Sequence, residues 1–292
     1  MVIAVIATVL ADTLFAISAV FQQSAASTLD PKLNLKFALI HQLFKNRRWV
    51  YGFLISLLGY AFQIFALSKS SLLVVQPLII LNFVIALPLS VYFVQKRNMT
   101  FIEIFSTSLI TLGLVGFLLI SNTKGGISNP SQSGWIVTLA SLLASYFILG
   151  TVSVRVYDPA KSVLQALMGG IANVLFAVLA KSLSSIVADS YRHSHSLVKL
   201  VSPLFLSWEF PMILAAFYLV LISVQSAFQG KSLGWSLPTL TVINPIVSLI
   251  IGLIVLHETQ RNSPLAISLE SISAILCLFG IFNLARIEQS VE

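Results

Sequence analysis

The sequence predicts an all-α, polytopic membrane protein with about nine transmembrane helices in two inverted repeats, one helix being missing from the first half. Three observations lead there. Of 292 residues, 57% are apolar and only 9% are charged, against about 25% charged in ordinary soluble domains. Runs of roughly 20 apolar residues, enough to cross about 30 Å of hydrocarbon, recur along the chain. The second half also lies over part of the first when the sequence is shifted against itself. With 17 basic and 10 acidic residues in 31.8 kDa and a mean hydropathy of +0.96, a soluble enzyme is excluded.

The expected helices run over 2–27, 49–68, 71–94, 101–121, 134–154, 162–187, 208–228, 236–256 and 264–284. The first is read as a retained helix: no Lys or Arg precedes it, Asp12 interrupts it, and it is too long for a signal-peptide apolar region. Residues 28–48 follow, with Lys32, Lys36, Lys45, Arg47 and Arg48 against a single Asp30. Within them Leu35, Leu39 and Leu43 recur at helical spacing, with Lys36 and His41 off that face, as expected of a short interfacial helix. Residues 188–207, with Asp189, Arg192, His193, His195 and Lys199, are expected to rest on the opposite surface. The breaks are charge clusters or turn segments such as Asn122–Ser133. They divide the chain into a first half, 1–121 (four spanning helices plus segment 28–48), and a second, 134–287 (five). An N-terminus outside the cell membrane and a cytoplasmic C-terminus put eleven of the seventeen basic residues on the cytoplasmic side, as the positive-inside rule requires. The net charge of +7 fits anionic headgroups rather than nucleic acid. Cys277 is the single cysteine, so an intrachain disulfide is ruled out.

A shift of 161 lays Ala66–Gly116 over Ala227–Cys277, with Ser71 on Ser232, Pro77 on Pro238, Lys96-Arg97 on His257-Glu258 and Gly113 on Ala274. The unit recurs five helices later. Five is odd, so the second copy is upside down in the bilayer, as in secondary transporters with a site at the repeat interface. The first helix pairs with the fifth at an offset near 130 (Ile6 on Ile136, Thr8 on Thr138). The difference is about one helix and its loop, and segment 33–44 stands where the lost helix would be.

The segment Pro245–Glu258 (PIVSLIIGLIVLHE), followed by Thr259–Arg261 and an apolar last helix with Gly280, resembles the EamA-type half of the drug/metabolite transporter superfamily. His257-Glu258 stands where that pattern usually has Gly-Glu, and Lys96-Arg97 replaces the pair in the first half. Gln22-Gln23, Gln76-Pro77 and Leu87-Pro88-Leu89 are similar to a nine-helix branch related to NIPA-like magnesium transporters. The resemblance implies inverted four- and five-helix halves and leaves the substrate open.

Buried charge narrows the search for a site, since a charge at mid-helix costs about 2.5–3.5 kcal/mol on insertion scales. Asp12 and Glu270 are the two acidic residues well inside helices, and each is either a proton, cation or amine site or a structural partner. Glu103 and Glu209 stand in first turns, where the helix dipole favours a carboxylate; Lys181 is placed to snorkel. Gln63, Gln76, Asn82, Gln225 and Asn244 are amides in apolar helices, and Gln76 and Asn244 directly precede Pro77 and Pro245, where helices are expected to unwind. Asn173 is a further such amide, whereas Gln22 and Gln23 are read as marking a helix exit. Gly52, Ser56 and Gly59, and Gly113 with Gly116, are read as close-packing faces.

Gln229-Gly230-Lys231-Ser232 is no P-loop, since Gln225 stands where its first glycine belongs. His193-x-His195 has no acidic or cysteine companion in its loop and is read as no metal site. No catalytic residue, cofactor or bound metal is expected, and no intramembrane hydrolase. The expected function is a secondary transporter moving a small solute by alternating access, coupled to protons or cations. The solute or ion and the lipid bilayer are its partners, and a homodimer is compatible with it. A magnesium-like divalent-cation transporter and a non-transporting membrane subunit are the alternatives.

Overall fold

The computed structural model describes residues 2–78, 80–89, 91–92, 98–120, 123–124, 126–127, 129–158, 160–193, 205–229, 233–260 and 263–291. Lys96-Arg97, His195, Lys199, the Lys231-Ser232 pair and Arg261 lie outside the described residues. The fold is all-helical, apart from one two-residue strand pair. In chain order the helices are α1 (Val2–Ala26), α2 (Phe37–Leu43), α3 (Arg47–Lys69), α4 (Leu72–Leu78), α5 (Ile80–Leu89), α6 (Phe101–Ile120), α7 (Gln132–Ser153), α8 (Ala160–His193), α9 (Glu209–Phe228), α10 (Leu233–Ile254) and α11 (Pro264–Val291). Among the described residues, five stretches are long and apolar enough to cross a membrane: α1, α3, α7, residues Ala160–Val187 of α8, and α9. Further apolar stretches within α4–α5, α6, α10 and α11 are shorter. The outer faces carry exposed large apolar side chains such as Leu54, Leu112, Ile136, Leu214 and Ile275.

Local chemistry sets the helix starts. Asn46 accepts from the N–H groups of Arg48 and Trp49 ahead of α3, and Ser131 from Gly134 ahead of α7. Thr100 and Glu103 form a reciprocal capping box: Thr100 N–H donates to Glu103 at 2.6 Å, and Glu103 N–H to Thr100 Oγ1 at 3.3 Å. Each such cap is worth about 1 kcal/mol. Glu103 is therefore a helix-start residue, as its position suggests.

Helix α8 is the central element, buried along most of its apolar length and packed against α3, α7, α9 and α10. Around it, small residues bring helices together in pairs. A Cβ on Gly52 would lie 2.9 Å from Phe21 Cβ, and one on Gly59 2.8 Å from Phe15 Cε1, so α1 and α3 pack in antiparallel register along the expected small-residue face. Gly113 and Gly116 meet Ser273 and Cys277, and Gly280 meets Ser106 and Ile110. These contacts make α6 and α11 a second antiparallel pair. Strand β1 (Thr123–Lys124) pairs antiparallel with β2 (Thr259–Gln260), tying the loop after α6 to the loop before α11.

Three local expectations need correcting. Residues 188–193 continue α8 instead of belonging to the loop. Leu39 and Leu43 are buried on α2 as expected, but Leu35 precedes the helix in the left-handed region at φ 54°, its N–H donating to Ser226 Oγ at 2.9 Å. The helix also continues through Pro245, and Pro77 lies inside α4. Proline's fixed φ near −65° is itself helical, so it removes one hydrogen bond without forcing unwinding.

Candidate functional site

A cavity of about 110 Å³ lies between α1, α3, α5, α8, α9 and α10. Its walls alternate rings and amides: Phe15, Tyr60, Phe217 and Phe228 with Gln22, Gln63, Asn82, Asn173, Gln225 and Asn244. Tyr60 is the hub of the ring contacts, 4.8 Å from Phe15, 4.9 Å from Phe176 and 5.2 Å from Phe217.

The wall nearest segment 28–48 is a chain of hydrogen bonds. Trp49 Nε1 donates to Gln225 Oε1 at 2.9 Å, Gln225 Nε2 donates to Gln22 Oε1, and Gln22 Nε2 donates to Ser18 Oγ at 2.5 Å. All four side chains are buried. Beyond them Asn34 binds Gln165 reciprocally, Ser226 O at 3.1 Å and Gln229 Oε1 at 3.2 Å. These bonds pin segment 30–35 across the ends of α8 and α9, beside an apolar cluster that includes Leu39, Leu43, Trp49 and Phe228.

At the other end of α8, Lys181 is paired with Glu258 and both are buried. The Glu258 carboxylate also accepts from the N–H groups of Leu72 at 2.8 Å and Leu73 at 3.0 Å, closing the start of α4. Snorkelling of Lys181 is thus overturned. Its partner lies 77 residues away in sequence, a proximity that only the tertiary fold reveals. Glu209 is buried at the start of α9 and accepts from Ser182 Oγ at 3.2 Å.

Of the residues singled out in the sequence, Gln63, Asn82, Gln225 and Asn244 line the cavity, while Asp12, Gln76, Pro77, Pro245 and Glu270 do not. Asp12 is fully buried, and neither carboxylate oxygen has a hydrogen-bond partner among the described residues. The α1–α3 register places it level with Gly59–Gln63, one turn from the cavity residue Phe15. Gln76 is fully buried on α4, with both amide atoms likewise unpartnered among the described residues. Glu270 is buried on α11, the helix paired with α6. Gln22 is a cavity residue and not a mere exit marker, a correction its spacing from Ser18 could have signalled, since i and i+4 share a helix face. Tyr60 was missed because a tyrosine in an apolar helix carries no distinguishing sequence signal.

No family model matches the chain, and no solved structure matches it. It is similar to an uncharacterized protein of Corynebacterium glutamicum, 29% identical over 211 residues that span 72% of this chain and 69% of that protein.

Proposed function

We propose that the chain is a secondary transporter of a small solute, working by alternating access in the cell membrane, with nine spanning helices in inverted four- and five-helix halves. The observation that carries this reading is the order of residues along α8. Gln165 joins the Asn34 cluster, Gly169 and Asn173 line the cavity, and Lys181 joins Glu258. Gln165 and Lys181 are 16 residues apart in sequence, about 24 Å at 1.5 Å per residue. A cavity with amides set into a mainly apolar wall thus lies between two separate polar clusters, the arrangement that opening one end at a time requires.

The α6–α11 pair supports the inverted repeat. Gly113 packs against Ser273 and Cys277, and the 161-residue shift places it on the intervening Ala274. Two copies related by a two-fold axis in the membrane plane would cross at equivalent residues and run antiparallel, as these helices do. The resemblance to the drug/metabolite transporter superfamily points the same way. Asp12 supplies the coupling group in this reading, because a carboxylate buried without a partner is stabilised by taking up a proton or cation. No carboxylate lines the cavity among the described residues, so the divalent-cation alternative draws no support from it.

Flux measurements in proteoliposomes separate binding from coupling. Asp12→Asn is expected to abolish accumulation driven by a proton or cation gradient while leaving solute exchange intact. Gln225→Ala is expected to reduce both. Gradient-driven accumulation by Asp12→Asn at the wild-type rate would remove Asp12 from the mechanism.

A further inference from the structure

We infer that the solute held by the cavity is uncharged and polyhydroxylated; this rests on the transporter reading above and names its substrate class. None of the described residues lining the cavity is charged. A carboxylate or ammonium enclosed there would lose its hydration without gaining a countercharge, whereas neutral hydroxyls need only hydrogen bonds. The walls supply those bonds in the required form. Each carboxamide both donates and accepts, matching a hydroxyl group, which also does both.

Two of these amides, closed off from water-sized space in the structure, leave hydrogen-bonding atoms unused among the described residues. Gln63 is 1% exposed, and neither its Oε1 nor its Nε2 has a partner among the described residues. Asn244 is also 1% exposed, with Oδ1 unpartnered in the same sense. They stand on different helices, α3 and α10, and both line the cavity. Buried polar atoms are ordinarily paired, so the two amides mark where ligand hydroxyls belong. The rings of Phe15, Tyr60 and Phe217 offer flat surfaces to the C–H faces of such a molecule.

The test uses three near-isosteric probes in proteoliposome exchange: xylitol, its anionic relative xylonate, and cationic 1-amino-1-deoxyxylitol. Wild-type protein is expected to exchange xylitol at least roughly tenfold faster than either charged relative, a modest factor for a site built on hydrogen bonds. Gln63→Leu is expected to cut xylitol exchange by a similar factor. Gln63→Glu replaces the amide with an isosteric carboxylate and is expected to turn preference toward the amino analogue. This second variant decides the matter if the leucine variant does not fold. Equal or faster exchange of a charged probe by the wild type overturns the neutral-solute inference while leaving a transporter. Flux confined to inorganic ions does the same. Absence of flux for every probe and ion, in protein that is monodisperse and folded, overturns the transporter reading as well.

Discussion

Lys181 and Glu258 illustrate how much one residue's environment decides. Two opposite charges taken out of water are held by each other and by the Leu72 and Leu73 N–H groups. Removing one partner leaves an uncompensated buried charge, which typically costs 3–5 kcal/mol. Lys181→Met is therefore expected to destabilise the fold by about that amount, and pairing it with Glu258→Gln to restore part of the loss. Thermal unfolding in detergent checks this; a single substitution without effect would show the pair to be water-exposed in solution. His257, next in the chain, carries a different cost. Its φ of 51° lies in the left-handed region, where a side chain costs about 1–2 kcal/mol and glycine pays little. His257→Gly should raise stability by about 1 kcal/mol and the melting temperature with it. An unchanged or lowered melting temperature would mean that the imidazole makes a compensating contact. The Gly-Glu of the resembled family thus has a physical meaning here: this backbone turn favours glycine even though the chain carries histidine. Polar residues in apolar helices were legible from sequence as candidates, and five of the six amides so singled out, Gln63, Asn82, Asn173, Gln225 and Asn244, do line one cavity. Their grouping, and the exclusion of Asp12, Gln76 and Glu270 from its walls, depended on which helices pack together.

At the scale of elements, the apolar runs located every long helix to within a few residues, except that α8 and α11 extend beyond their expected ends at 187 and 284, to His193 and Val291. Hydropathy cannot see where a polar helix end stops when the following charges still suit a solvated turn. The close-packing faces were legible for a simpler reason: glycines at i, i+3 or i+7 spacing lie on one side of a helix, and α3 and α6 use those sides against α1 and α11. The two glycines of α6 nevertheless differ. A Cβ at Gly113 would lie 2.7 Å from the Ser273 backbone oxygen and 2.6 Å from Cys277 Sγ, whereas at Gly116 the near atom is Ser273 Oγ at 2.8 Å, the tip of a movable side chain. Gly113→Val is expected to cost about 1–3 kcal/mol through overpacking, and Gly116→Ala much less. Equal melting temperatures for the two variants would show that α6 and α11 adjust their separation freely.

At the scale of the whole molecule, the two polar clusters along α8 on either side of the cavity residues differ in chemistry. The Lys181–Glu258 end joins α8 to the start of α4 by charge. The Asn34 end joins a short connecting segment to α8 and α9 by neutral amides and an apolar cluster. Neutral hydrogen bonds contribute about 1 kcal/mol each, while a buried charged pair resists separation far more strongly. The amide closure is accordingly the one expected to open first. It also connects directly to the cavity wall, because Trp49, at the end of the same segment, is bonded to Gln225. In the proposed transporter, solute contact with Gln225 would bear on the hold of segment 30–49, so that a short tether would move where the proposed inverted repeat lacks a helix. The corresponding experiment joins Asn34→Cys to Gln229→Cys with a short thiol-specific cross-linker, in a Cys277→Ala background. Cross-linking is expected to stop flux in proteoliposomes, and cleavage of the linker to restore it. Flux that continues at the uncross-linked rate would place the moving closure elsewhere and leave segment 30–49 as a fixed part of the wall.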